Sequence, residues 1–335
     1  MTTIDSPPDA PPSRRAQRST RRRSSADTER GFSRVFRWIT TGSGAFLLLV
    51  LAAVAVFLIV RGLPALTASP EELATNGGLP TGMNSLWDLV GPLVFGTLLA
   101  AAMALILATP VAIGIALFIS HYAPRRAASV IGYIIDLLAA IPSVVFGLWG
   151  GRTLAPVISD VWVWIGGVLD FLPFWTVNVT NTGRSLATAS VVLAVMILPI
   201  ITAVSREVFL QTPKLHEEAA LALGATRWEM VRTAVLPFGR SGVISAAMLG
   251  LGRALGETMA VLMILSPGLL YSFQIFDSGQ QQTIAAFIAS RFAEASGLAV
   301  NVLIATGLSL FVITMVVNMA ARAIVARRKE FSGAN

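Results

Sequence analysis

Stretches of about twenty residues with almost no charge are separated along this chain by shorter polar segments rich in Arg, Pro and Gly. About 20 apolar residues cross a bilayer core, and on that ruler the pattern predicts six spans, at about 38–61, 90–118, 128–150, 186–205, 241–266 and 298–321. The first, Trp38–Val60, carries no charge over 23 residues. That is longer than a signal-peptide core, so it is read as a retained helix. Pro110 inside the second run leaves a seven-span reading, with a kink or break there, as the alternative. Between the third and fourth spans, Trp162, Trp164, Phe171, Phe174 and Trp175 surround a nine-residue apolar run ended by Asp170, too short to cross. Amphipathic aromatics settle at headgroup depth, so an interfacial helix or ordered loop is expected there. No internal repeat is visible.

Composition agrees with the pattern. Of 335 residues, 55% are hydrophobic and 13% charged, against roughly 25% charged in soluble domains. The reading is an all-α integral membrane protein with six transmembrane helices. Residues 1–33, with Pro7, Pro8, Pro11, Pro12 and an Arg run from Arg14 to Arg23, have almost nothing apolar to bury and are expected to be a disordered basic tail. The transmembrane domain is placed at 34–330, a long polar loop at 206–240 and a short C-terminal tail at 331–335. With no Cys and two His, a disulfide framework, a Cys/His metal cluster and a Cys–His nucleophile pair are excluded, and no metal site is expected. The missing Cys leaves the redox compartment open.

The net charge of +7 admits nucleic acid, anionic lipid or membrane topology. Position decides: 20 basic residues fall on one side of the six-span arrangement and 4 (Arg61, Arg152, Arg184, Arg291) on the other, with Arg253 inside a span. The positive-inside rule then places both termini in the cytoplasm. The loop 206–240 is longer than a passive connector needs. Thr212-Pro213 reads as the start of a short helix, Glu217 and Glu218 lie early in it, and Gly224 is its stop. Thr226-Arg227-Trp228-Glu229 is a capping box opening a second helix that Pro237 closes. The result is a rigid protrusion, for which an ordered loop of no special purpose is the other reading. His121, in a short cytoplasmic loop, and His216, on the first loop helix, are read as solvated or interface residues rather than proton carriers.

The fifth run holds the charges with the most to explain. Arg253 and Glu257 stand one helical turn apart, and an Arg at a helix centre costs about 2.5–3.5 kcal/mol on insertion scales. Such a guanidinium needs a partner or a water-filled cavity. Either Glu257 only ties helices together, or it orients an Arg whose paired donors match an oxyanion. Gly252 and Gly256 form a small-xxx-small pair that would let another helix approach. Asp136, in the third span, could meet Arg253, line a pathway or hydrogen-bond a neighbouring helix. Pro142 bends that span and frees a carbonyl, as a pathway element or a packing kink.

Glu218-Ala219-Ala220, Gly224-Ala225 and Leu236-Pro237 match the E-A-A…G…L-P signature of ABC-importer permeases. Ala234 departs from the Ile usual two residues before that Leu. The run from Gly252 through Glu257 to Val261, together with Ile141–Gly150, resembles the PstC permease family of phosphate importers over about residues 35–330. The PstA form of the fifth-helix motif is less similar. This resemblance implies a type I ABC importer permease in which the first loop helix is a coupling helix seated on an ATPase. It also implies a PstA-like permease to complete the pathway, a PstB-like ATPase homodimer and an extracytoplasmic PstS-like binding protein. The two lysines, Lys214 and Lys329, follow Pro213 and Arg328, so no G-x-x-x-x-G-K-[ST] loop exists. No cofactor is expected on this chain; ATP and magnesium belong to the ATPase. The competitors are a permease for sulfate, molybdate or another oxyanion, and, in another class, a secondary transporter or channel. A membrane enzyme is disfavoured because no nucleophile, base and metal assemble.

Overall fold

The computed structural model describes residues 14–80, 82–169 and 179–329, and among them every regular element is helical. The chain divides into two compact units, Met1–Phe57 and Leu58–Asn335. The first is occupied by the N-terminal part of helix α1 (Arg14–Thr67), whose apolar side chains from Val35 to Phe57 are almost all exposed. That face needs lipid or another helix. Residues 14–33 are helical here, a correction to the disordered tail that their composition implies. Between Arg14 and Arg30 there is neither Pro nor Gly, and extending an existing helix incurs no nucleation cost. Residues 1–13 and 331–335 lie outside the described residues.

The second unit is built around helices α3 (Leu86–Leu117), α7 (Leu186–Leu210) and α10 (Leu236–Leu255). Ala100, Ala104, Ala108, Ala112 and Ala116, at four-residue spacing on α3, are all buried. They form one row of methyl groups against which α7 packs, the close small-residue approach that membrane helices use in place of a hydrophobic driving force. Pro110 sits within α3 without breaking it, so the seven-span alternative is not realised. Among the described residues five single helices are long and apolar enough to cross a membrane, and one bent pair, taken as one span, makes a sixth.

The bent pair corrects the third span. The continuous helix expected at 128–150 is α4 (Arg125–Ala140) and α5 (Ser143–Trp149), with a 91° turn at the break. Pro142 donates no amide and forces the residue before it out of helical geometry; Ile141 accordingly sits at φ −66°, ψ 130°. After α5 a π turn at Gly150–Leu154 leads into α6 (Ala155–Leu169), so the expected interfacial segment continues this limb. Trp162 there is buried and donates to Thr188 Oγ1 at 2.8 Å, while Trp164 is exposed. Phe171, Phe174 and Trp175 lie outside the described residues.

The fifth span is also broken. Instead of one helix over 241–266, α10 stops at Leu255 and α11 (Met259–Ile264) follows after Gly256, Glu257 and Thr258. The second halves of the two broken helices pair: a side-chain carbon at Gly147 would lie 2.8 Å from the Ala260 Cα, so only glycine fits between α5 and α11.

The last segments are α12 (Ile284–Arg291) and α13 (Leu298–Lys329). Between α11 and α12 runs an irregular stretch, 265–283, that returns into the bundle. Ile284 N donates to Thr97 Oγ1 on α3, and the Ile275 carbonyl accepts from Ala187 N on α7. Gln281, Gln282 and Thr283 are buried in it, Gln281 to 1% exposure. Non-helical backbone at such depth is tolerated when protein surrounds it.

Candidate functional site

The loop at 206–240 folds into a projecting helical hairpin. Helix α7 runs on to Leu210, Gln211 caps it, and Thr212 forms the turn with its hydroxyl buried and unpartnered. The first loop helix, α8, therefore starts at Lys214 with Pro213 rather than Thr212 as its N-cap. It ends at Ala222, followed by Gly224 at φ +87°. Gly224 N donates to the Leu221 carbonyl and Ala225 N to that of Ala220. This is a Schellman termination, in which the left-handed residue is almost always glycine.

No residue of α8 is buried, and Leu223 is 90% exposed. Leu215, Leu221 and Trp228 are also exposed, so the protrusion presents an apolar tip. Thr226 and Glu229 form the expected capping box at the start of α9 (Arg227–Met230). Pro237 does not close the second helix. A π turn over Val231–Val235 carries α9 into α10, and its wider turn accommodates a residue that has no amide to donate. Leu236 and Pro237 are thus the join between the protrusion and the membrane bundle, not its end.

In the broken fifth span, Arg253 and Glu257 do not pair. The helix ends between them, and Glu257, 8% exposed, turns its Oε1 to accept from Ala260 N at 3.1 Å. The carboxylate satisfies an amide at the start of α11 that would otherwise be orphaned. Arg253 is half-buried beside Ala254, with no ion pair or hydrogen bond to this chain among the described residues. Asp136 is exposed on α4, and no partner for it is found among the described residues either. The close approach expected at Gly252 and Gly256 is not made within this chain: a carbon at Gly252 would meet nothing within 4 Å, and one at Gly256 only the Gly252 carbonyl at 3.7 Å. The face beside Arg253 is left open. Among the described residues no group of three or more His, Cys, Asp or Glu is arranged to hold a metal ion.

Sequence reasoning overlooked two features of the site. The returning segment 265–283, buried at both its ends and at Ile275 and Phe276, lines the same bundle, and its visible signal is Gln280-Gln281-Gln282, too polar for a span yet set between apolar runs. The other is His121. Its side chain is 8% exposed and faces Glu217 of α8, so of the two readings, solvated or interface, it takes the second.

A multi-pass helical bundle with two broken helices at its centre and a capped hairpin projecting from one end is the architecture of a transport permease. Residues 108–330 match the family described as "Binding-protein-dependent transport system inner membrane component", and the chain belongs to that family, among its PstC permeases. "Phosphate transport system permease protein PstC 2" of Mycobacterium tuberculosis is 46% identical over 299 residues, covering 87% of this chain and 91% of that protein. The PstC of Mycobacterium leprae is 48% identical, covering 82% and 87%, and that of Xylella fastidiosa 37%, covering 88% and 91%. Two solved structures share the fold. One is the inward-facing MetNI methionine ABC transporter, with 17% identity, TM-score 0.51, and 72% and 96% of the chains covered. The other is a bacterial ABC transporter that imports the acidic polysaccharide alginate, with 18% identity, TM-score 0.53, and 89% and 99% covered.

Proposed function

We propose that this chain is one of two permease subunits of an ATP-driven importer of inorganic phosphate. The observation that carries the reading is the projecting α8–Gly224–α9 hairpin, whose helix α8 has no buried residue, on a bundle whose sequence relatives are phosphate transport permeases. Glu218, Ala219 and Ala220 lie on α8 and Ala225 at its exit, so a groove in an ATPase would receive α8, and Leu236-Pro237 would pass its displacement into α10. A PstA-like permease covers the open Gly252–Gly256 face and supplies the second half of the pathway. A PstB-like ATPase homodimer holds ATP and magnesium, and a PstS-like protein delivers phosphate on the outer side. Arg253 is the charge offered to the anion, its planar paired donors suiting a phosphate oxygen pair. Glu257 and Pro142 hold the two broken helices whose second halves pair, and Asp136, exposed on α4, is a further carboxylate available to the pathway. Labelled phosphate should enter proteoliposomes only when both permeases, the ATPase and ATP are present. Uptake without the ATPase would assign the chain to secondary transport, and preferential sulfate uptake would assign it to another oxyanion.

In the same reading both termini and the hairpin are cytoplasmic. The chain has no native Cys, so single cysteines report cleanly. In intact cells an impermeant maleimide should label Asn181→Cys and leave Ala222→Cys untouched until the membrane is opened. Labelling of Ala222→Cys from outside would overturn the orientation.

A further inference from the structure

Helix α8 is attached to the bundle by little besides its two ends and Ala220, which packs on the cluster formed by Ala116, Leu117, Phe209, Met230, Val231 and Val235. One polar tie is added to this. Among the described residues the one contact between a basic and an acidic side chain joins His121 Nε2 to Glu217 Oε1, at 3.5 Å, an ion pair when the imidazole is protonated. His121 lies in a π turn, Phe118–Tyr122, at the end of α3, where Ala123 N reaches back to the Phe118 carbonyl. Its other ring nitrogen, Nδ1, is 2.6 Å from Ser120 Oγ, which also lies 2.8 Å from the Ala116 carbonyl. If Ser120 donates to His121, the neutral ring carries its hydrogen on Nε2. If Ser120 donates to the backbone instead, His121 Nδ1 donates to Ser120, and only a protonated ring then carries an Nε2–H as well. The first arrangement, and the protonated form of the second, present Nε2–H on the side of Glu217, and Ser120 holds the ring.

We infer that His121 is a positioning residue for energy coupling, binding the coupling helix through Glu217 to the π turn of α3. This inference rests on the functional reading above. The route is short. Displacement of α8 pulls on the π turn that continues α3, where the hydrogen-bond ladder is already widened, and such turns recur at functional sites. The rest of α3 carries the alanine row that faces α7, so the pull arrives in the helix packed at the centre of the bundle. Without the tie, α8 is held by its ends and Ala220, and an ATPase can move it while α3 stays still.

The test uses the full transporter, with this chain, its partner permease, the ATPase and the binding protein in proteoliposomes, and it reads phosphate imported per ATP hydrolysed. His121→Leu and Glu217→Gln should each lower that ratio about five- to tenfold, the range of an ordinary coupling free energy, while ATP hydrolysis continues. The double variant should be no worse than either single one, because both remove the same contact. His121→Arg, which keeps a cation within reach of Glu217, should restore at least half of the ratio. A spin label on Ala222→Cys in the same chain in nanodiscs, without any partner, should become more mobile in His121→Leu and Glu217→Gln and recover in His121→Arg. A merely structural role would depress assembly and both rates together, leaving the ratio unchanged, and that result overturns the inference. So does a double variant whose losses multiply, or a label whose mobility ignores all three substitutions. If the unmodified transporter moves no phosphate, the function proposed above fails and the label alone decides whether the tie exists.

Discussion

Replacing Arg253 by Gln should lower phosphate uptake by about two orders of magnitude at matched membrane expression. Removing one partner of a desolvated charged contact costs about 2–5 kcal/mol, and tenfold corresponds to about 1.4 kcal/mol. Arg253 finds no counter-charge in its own chain among the described residues, which on the reading proposed above leaves it available to the anion. Lys restores uptake poorly, because a point-like ammonium lacks the paired donors. Glu257 behaves differently. Its Oε1 accepts from Ala260 N, and Gln retains that acceptor, so Glu257→Gln should cost only a few-fold, whereas Glu257→Leu should unseat α11. The double Arg253→Met, Glu257→Leu variant should then be inactive. Were the two residues an ion pair, the double hydrophobic replacement would be tolerated; near-normal uptake by that variant would remove Arg253 from the substrate pathway.

Gly224→Val should abolish ATP-driven uptake while leaving the complex assembled. At φ +87° a β-branched residue is strained by about 1–3 kcal/mol, and a carbon placed there meets no neighbour within 4 Å. The whole effect is therefore in the backbone, which makes it graded. Asn tolerates the left-handed region best after Gly, then Ala, and Val worst, so uptake should fall in the order Gly, Asn, Ala, Val. Strain here unwinds the Schellman turn and lets α8 point elsewhere, so on the reading proposed above ATP hydrolysis is no longer passed into transport. Equal uptake for Gly224→Val and the unmodified chain would show that the orientation of α8 does not matter to transport.

Much of this molecule is written locally. The capping box at Thr226, the glycine stop at 224 and the bend before Pro142 follow from residues whose backbone preferences are strong, and the structure places all three where the pattern puts them. What escapes the pattern depends on alternatives of nearly equal local energy. An apolar run through Gly256 and Glu257 reads as one helix, yet the Glu257 carboxylate offers Ala260 N a hydrogen bond outside the helical ladder, and a glycine beside it removes the resistance to a break. Pro237 reads as a stop because the π turn that accommodates it has no residue signature. The basic helix at 14–33 has a composition typical of disorder but no residue that forbids helix. Of the candidate site, the exposed hairpin was legible; the separation of Arg253 from Glu257 was not, since it depends on the break of the helix between them.

The returning segment 265–283 has a consequence for how the protein is made. Its anchor, Ile284 N to Thr97 Oγ1, joins residues 187 apart in sequence, and Ala187 on α7 holds its other side. Neither contact exists until α3 and α7 are in place and the ribosome has delivered almost the whole chain. The bundle is therefore closed late, when a polar segment from the last third of the chain seats against two helices that precede it.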